Sequence, residues 1–433
     1  MASVMLLGTL NRVMIVELSV PAMVVAVMIA LPVLVAPFRA LFGFRSDTYR
    51  SSIGWKRIPY LWFGSLWQMG GLAVMPFALL VLSGDTVHDV PFAGEVLAGL
   101  AFLMTGLGLH MTQTAGLALA CDRATEETRP KVVALLYVMF LLGMGVSALI
   151  IGGLLADFSN LGLIRVVQGA ALVGLLLNLA ALWKQEQVKP MSREERAAPR
   201  PVFQDAWRDY AKGGQAGRLL AVVFLGTMAF TMQDVLLEPY GGEILGLSVS
   251  LTTLLTAMWA AGALIGYGLS ARLLGRGMDP VRLAALGLLA GLAAFSAVIF
   301  AAPMQSTLRF YTGAGLIGFG GGVFAVATLI YAMTLPVGDL AGRGLALGAW
   351  GAAQATAAGL AIALGGGIRD IVGSWAMSGA LGPALVSPAT GYSTVYHLEI
   401  GLIFLTLIAL GPMAARVTRS DGPVPRGLPE FPT

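Results

Sequence analysis

The chain has 433 residues, of which 57% are hydrophobic and only 12% charged, and its mean hydropathy is +0.81. Surface shrinks too slowly with size for a water-soluble domain of this length to hide so much apolar area, so the composition excludes a soluble enzyme and fits a chain solvated by lipid. The net charge of +4 comes from short gaps between apolar runs, which argues for membrane topology and against nucleic acid, and the single cysteine, Cys121, excludes an internal disulfide or a Cys-cluster metal site.

A bilayer crossing needs roughly 20 apolar residues. In chain order the predicted spans are Met1–Glu17, Val20–Pro37, Ile58–Leu82, Gly94–Ala120, Val132–Ala156, Leu163–Trp183, Leu219–Glu238, Val249–Leu274, Val281–Ala302, Phe310–Leu335, Leu345–Ile368 and Val395–Ala415. The first is short, which suggests that the beginning of its helix is missing. A single helix over Val13–Pro37, kinked at Pro21, is the alternative and would give eleven spans. The polar stretch 184–218 divides the chain into a six-helix half at 1–183 and another at 219–416. A Pro- and Gly-rich tail, 417–433, is expected to be disordered. No cleavable signal peptide is evident, because the first apolar stretch lacks a basic lead-in.

Basic residues occupy alternate gaps. Arg39, Arg45, Arg50, Lys56 and Arg57 follow the second span, and Arg123, Arg129 and Lys131 follow the fourth. Lys184 to Arg218 fill the linker, Arg272, Arg276 and Arg282 follow the eighth span, and Arg343 follows the tenth. The stretch 84–95 carries only acids and a histidine. This alternation places both termini and the linker in the cytoplasm of a bacterial inner membrane.

The halves repeat a motif at matching turns: LFGFRSDTYR (Leu41–Arg50) and LLGRGMDPVR (Leu273–Arg282) share L-[FL]-G-x-x-x-D-x-x-R. Recurrence in register with the topology predicts an all-α, twelve-helix bundle of the major facilitator type, two six-helix halves about a pseudo-two-fold axis. Gly43 and Gly275 are expected to permit tight turns. Asp47 and Asp279 are expected to cap the next helix or bind the Arg of a neighbouring turn, with Arg50 and Arg282 completing a latch on the cytoplasmic side.

Ionisable groups inside a bilayer are expensive and are functional candidates by default. Arg12 in the first span is predicted to pair with Asp234 in the seventh, with Glu17 and Glu238 at the outer lip; a pair that merely holds the halves together explains these residues equally well. No acid is predicted near the middle of the bilayer. His110, Gln113 and Thr114 share a face of the fourth span, where neutral imidazole suits an axial ligand to a metal such as the magnesium of a chlorin, or a hydrogen bond to a neighbouring helix. Gln68, Asn178, Gln233 and Gln354 are expected to bond between helices, and Trp259, Trp350 and Tyr331 to line an apolar cavity. Gly313 to Gly318 matches G-x-G-x-x-G but opens no strand-turn-helix unit, so it reads, like Gly365 to Gly367, as close helix packing. No catalytic set, P-loop or zinc site is evident, so neither an enzyme nor an intrinsic cofactor is expected.

Several strings resemble the PucC/LhaA family of purple phototrophic bacteria: LGTLNRVMIVELSVPA (Leu7–Ala22), PFRALFGFRSDTYRSSIGWKRIPY (Pro37–Tyr60), HMTQTAGLALA (His110–Ala120), MQDVLLEPYGGEIL (Met232–Leu245), WGAAQA (Trp350–Ala355) and PATGYSTVYHLEIG (Pro388–Gly401). They run from the first helix to the last. The resemblance implies a factor that assembles light-harvesting antenna complexes in the photosynthetic membrane by handling or delivering bacteriochlorophyll. It makes the pigment a cargo and not a resident cofactor, and makes antenna polypeptides or the pigment-synthesis and insertion machinery the partners. His110, Gln113, Thr114, Trp350 and Gln354 are then the candidate pigment contacts. The alternative is a gradient-driven secondary transporter of a small lipophilic solute.

Overall fold

The computed structural model describes residues 1–10, 13–14, 18, 20, 22–82, 92–155, 159–188, 190, 192, 194, 201–212, 214–247, 249–335 and 342–420. Among the described residues there is no strand, and eleven helices are long and apolar enough to cross a membrane. With no water in the hydrocarbon to satisfy an open backbone, helices that close their own hydrogen bonds are the form such runs take.

The first complete span runs through α1 (Ala22–Val35), a 3-10 turn at Ala36–Phe38 and α2 (Arg39–Asp47). Pro37 has no N–H to give and sits in that turn. Then come α3 (Ile58–Leu82), α4 (Ala93–Arg123), α5 (Arg129–Leu154) and α6 (Asn160–Leu182). Before α1, Ala2–Val4 and a π-helical turn at Met5–Leu10 stand where the short first span is predicted. Met5, Leu10 and Met14 are fully buried against Met75 and Phe102, so this segment packs as part of the bundle. Arg12 and Glu17 lie outside the described residues.

The linker carries a short helix, α7 (Phe203–Ala211), which packs Ala206 and Tyr210 against Ala40, Phe44 and Ala346. Next, α8 (Gln215–Thr231) breaks into a 3-10 turn at Met232–Val235 before α9 (Leu237–Glu243). The rest is α10 (Val249–Leu274), α11 (Pro280–Ala301), α12 (Thr307–Thr334), α13 (Arg343–Met377) and α14 (Ala389–Ser420). Helix starts carry the expected chemistry. Pro130 and Pro280 sit in first turns, and the Ser159 and Asp279 side chains accept from Gly162 N–H and Val281 N–H.

Glycine sets the close packing of the C-terminal half. A Cβ on Gly318 would collide with the Trp259 carbonyl and one on Gly262 with the Gly315 carbonyl, so α10 and α12 touch backbone to backbone. The Gly313 to Gly318 run is therefore packing, as expected. Gly365 likewise abuts the Met232 carbonyl, whereas Gly366 and Gly367 meet nothing within 4 Å, and that part of the expectation fails. By contrast α5 is the least buried of the eleven spans, and Gly143, Gly145, Gly152 and Gly153 along it have open space around them.

Two further expectations are corrected. The last helix starts at Ala389, six residues before the predicted span, and runs to Ser420, so the segment expected to be disordered begins as helix; residues 421–433 lie outside the described set. Gly43 is not a turn residue. It lies inside α2 because its missing side chain lets α2 rest on the Gly344 carbonyl of the other half. In the second copy it is Gly277, not Gly275, that takes a left-handed φ of 86°.

Candidate functional site

The rim that carries the basic turns is closed. There α2 lies across the start of α13, the most extensive contact between the two halves. The Asp47 carboxylate accepts from Gly344 N–H at 3.0 Å and Leu345 N–H at 2.9 Å, which caps a helix of the opposite half and places an anion at its positive end. Arg57 reaches Asp47 at 2.5 Å, Asp122 at 3.0 Å and the Ser46 hydroxyl at 2.6 Å. Burial pulls the Arg57 guanidinium down, but Asp47 and Asp122 outweigh it and hold its pKa above the ordinary value. Glu186 of the linker accepts from the backbone N–H groups of Lys56, Arg57 and Ile58, tying the linker to the start of α3. The second motif does less: Asp279 caps its own helix, and Arg282 is exposed. This rim thus carries a latch built from one copy of the motif, with Arg57, an arginine beyond the motif, bound to Asp47.

Beyond the latch lies a polar layer. Arg39, which the charge pattern assigns to a loop, is 4% exposed inside the bundle; its Nε donates to Thr114 Oγ1 at 3.1 Å, and Gly351 leaves room for the guanidinium. His110 Nε2 donates to the Pro32 carbonyl at 2.9 Å, joining α4 to α1, while its buried Nδ1 has no partner. Gln113 is half-buried, and Gln68 bonds Gly108 O and Thr112 Oγ1 between α3 and α4, as expected of it. Tyr137 and Tyr267 stack across the halves with centroids 5.0 Å apart.

Above this layer a cavity of about 160 Å³ is lined by Tyr137, Thr227, Asp234, Trp259, Trp350 and Gln354. Trp350 is buried and its indole donates to Thr328 Oγ1 at 3.3 Å. The structure brings Asp234, Trp350 and Gln354 together here; His110 is not among the lining residues. Asp234 and Trp259 also border a depression of about 240 Å³ toward the opposite rim, beside Glu238. Asp234 sits in the 3-10 turn and Glu238 in α9, and both line this depression. Asp234 accepts from Gln233 Nε2 at 2.5 Å, and Glu238 from Thr256 Oγ1 at 2.5 Å.

The same break holds a residue that sequence reasoning missed. Glu399 of α14 is fully buried, and its Oε1 accepts from Gln233 N–H at 2.8 Å. It lies about 15 Å along its helix, near the bilayer centre, so the expectation that no acid sits there is overturned. At the opposite rim Arg369 pairs with Glu243 at 2.6 Å and with Asp370, and Tyr392 lies under its guanidinium at 4.5 Å.

A second cavity, about 490 Å³, lies between α3, α5 and α6 at the bundle's flank, with Met1, Ala2, Ser3 and Leu109 also lining it. Met69, Leu72, Met139, Phe140 and Leu177 give it apolar walls, and Gln68 and Asn178 are among its few polar side chains.

The profile of the PUCC protein family matches residues 9–418. A protein of Rhodobacter capsulatus described as an uncharacterized protein in the puhA-bchM intergenic region is 60% identical, over all of this chain and 91% of its own length. Protein PucC of Rhodovulum sulfidophilum is 51% identical over 86% of this chain and 82% of its own. Among solved structures, a bacterial homologue of the iron transporter ferroportin, outward-facing with soaked iron, superposes with a TM-score of 0.71 at 14% identity over 96% of each chain; a transporter of the major facilitator superfamily, FucP, superposes at 0.62 with 14% identity over 90% of this chain and 89% of its own. These similarities give the bundle the major facilitator fold. With the family profile running from the first helical segment to the last, the chain belongs to the PucC protein family.

Proposed function

We propose that this protein handles bacteriochlorophyll during assembly of light-harvesting complexes in the intracytoplasmic photosynthetic membrane, without catalytic chemistry, and that the cleft at the bundle's flank receives the pigment. The observation that carries this reading is the contrast between the two cavities. The one lined by the C-terminal half and Tyr137, about 160 Å³, is too small for a tetrapyrrole. The lateral cleft is three times larger, is apolar and opens where a tailed pigment dissolved in lipid arrives without crossing water. Handing the pigment to antenna polypeptides through the same lateral opening needs no passage through the bundle. His110 lines neither cavity, so in this reading it ties α4 to α1 and is not a ligand.

The test is to fill the cleft. Gly143 and Gly174 line it and have no neighbour within 4 Å, so Gly143→Phe and Gly174→Phe occupy open space. Titration of purified protein with bacteriochlorophyll is expected to show binding about tenfold weaker in each variant, ~1.4 kcal/mol. Wild-type affinity in both would sink the cleft as the pigment site. The cavity at Asp234 and Trp259 favours a second reading, secondary transport of a small lipophilic solute, which requires flux in proteoliposomes that Asp234→Asn abolishes.

A further inference from the structure

The break between α8 and α9 leaves a set of buried oxygens with nothing to accept. Glu399 is fully buried, and while its Oε1 takes the Gln233 N–H, its Oε2 has no partner. Gln233 is 1% exposed, and its amide orientation is fixed because Nε2 donates to Asp234 Oδ1 and to Phe230 O at 3.3 Å. Its Oε1 therefore points elsewhere, is buried and is also unpartnered. A reversed amide would set oxygen against carboxylate, so the assignment rests on charge. Two independent side chains thus present bare acceptors beside a carboxylate that borders the cavity of about 160 Å³.

Bare buried acceptors cost free energy unless a donor or a cation meets them. Among the described residues no Lys or Arg forms an ion pair with Asp234 or Glu399, and none of the groupings of three or more His, Cys, Asp or Glu that a divalent metal favours is present. Broken helices near mid-membrane are where membrane carriers hold H⁺ or Na⁺, and intramembrane carboxylates mark ion and proton paths. We propose that Gln233, Asp234 and Glu399 bind a small monovalent cation, H⁺ or Na⁺, at the α8–α9 break, and that its occupancy sets the stability of the break. This inference is independent of the pigment reading.

Among the described residues the groups around the site are few. On α14, Tyr396 lies one turn before Glu399 with its hydroxyl buried and unpartnered, and Tyr392 lies one turn further out. On α9, Tyr240 sets its ring 5.4 Å from that of Tyr392 and 5.5 Å from that of Tyr396, while Glu238 is engaged by Thr256. On α13, Arg369 is held by Glu243 and Asp370. The charged residues of α8 and α11 are Arg218 and Arg282, both in first turns at the basic rim.

The experiment uses the full chain in detergent and tracks its thermal unfolding midpoint at constant ionic strength. One series replaces choline by Na⁺ at fixed alkaline pH; the other lowers the pH without Na⁺. A midpoint that rises by several degrees with Na⁺ in the wild type, but not in Glu399→Gln, supports Na⁺ as the ligand. The same contrast on acidification supports H⁺. Gln233→Met, which keeps the backbone N–H but removes the bare oxygen, is expected to blunt the same response and serves if Glu399→Gln does not fold. A wild type that responds to neither series, or variants that respond as the wild type does, would overturn the proposal.

Discussion

Asp47→Asn tests whether the basic rim is held shut by one carboxylate. The side chain is 9% exposed and makes two bonds to backbone N–H groups and one to Arg57. The amide keeps one acceptor, loses the charge and turns an NH₂ toward a former donor. Hydrogen bonds to charged groups contribute about 1.5–3 kcal/mol each, and stranding a buried partner costs about 3–5. Arg57 retains Asp122 and Ser46, so a net cost of about 2–3 kcal/mol is the reasonable figure. That cost falls on the closed arrangement alone, which raises the open population roughly 30- to 150-fold. The chain carries its own reporter: Cys121, 1% exposed, is the single cysteine and packs among residues of both halves beside the latch. Alkylation of Cys121 by a bulky maleimide in detergent is expected to accelerate by that factor, with the helical circular dichroism unchanged. An alkylation rate equal to that of the wild type would refute the assignment of Asp47 as the closing contact.

Glycine substitutions separate packing from open space. Gly318→Ala drives a methyl into the Trp259 carbonyl and is expected to destabilise by about 1–3 kcal/mol, whereas Gly367→Ala, with nothing within 4 Å, is expected to stabilise by about 0.4–1 kcal/mol; thermal unfolding distinguishes the two signs. His110→Leu strands the Pro32 carbonyl and is expected to cost about 1–3 kcal/mol while leaving pigment affinity intact; loss of pigment with unchanged stability would restore His110 as a ligand.

Features governed by local rules are legible in the sequence. Apolar run length locates the spans, and Asp47 of the repeated motif announces a latch, although its Gly43 makes no turn and Asp279 caps only its own helix. Other features depend on which helices meet. Arg39 obeys the charge rule for a loop, yet Gly351 and Thr114 on distant helices make a berth for it inside the bundle. Glu399 escapes notice because Pro388 and the polar residues Thr390 to Ser393 read as loop, which places the acid at a helix end. The signal available is Pro388 itself, a residue that commonly precedes a helix start. The capping of α13 by Asp47 spans 297 positions and the Glu186 bonds to α3 nearly 130, beyond the reach of motif spacing. The lateral cleft is likewise a tertiary fact, since nothing in the apolar pattern of α5 says that α3 and α6 stand away from it.

Gentle detergent purification from a native phototrophic membrane, with an absorption spectrum and identification of the accompanying polypeptides, tests the account most directly. Pigment handling at the lateral cleft requires a bound bacteriochlorophyll band, antenna subunits in the same fraction, and a lower pigment-to-protein ratio in Gly174→Phe. A colourless protein that elutes without companions, or a ratio unaltered by filling the cleft, would contradict it.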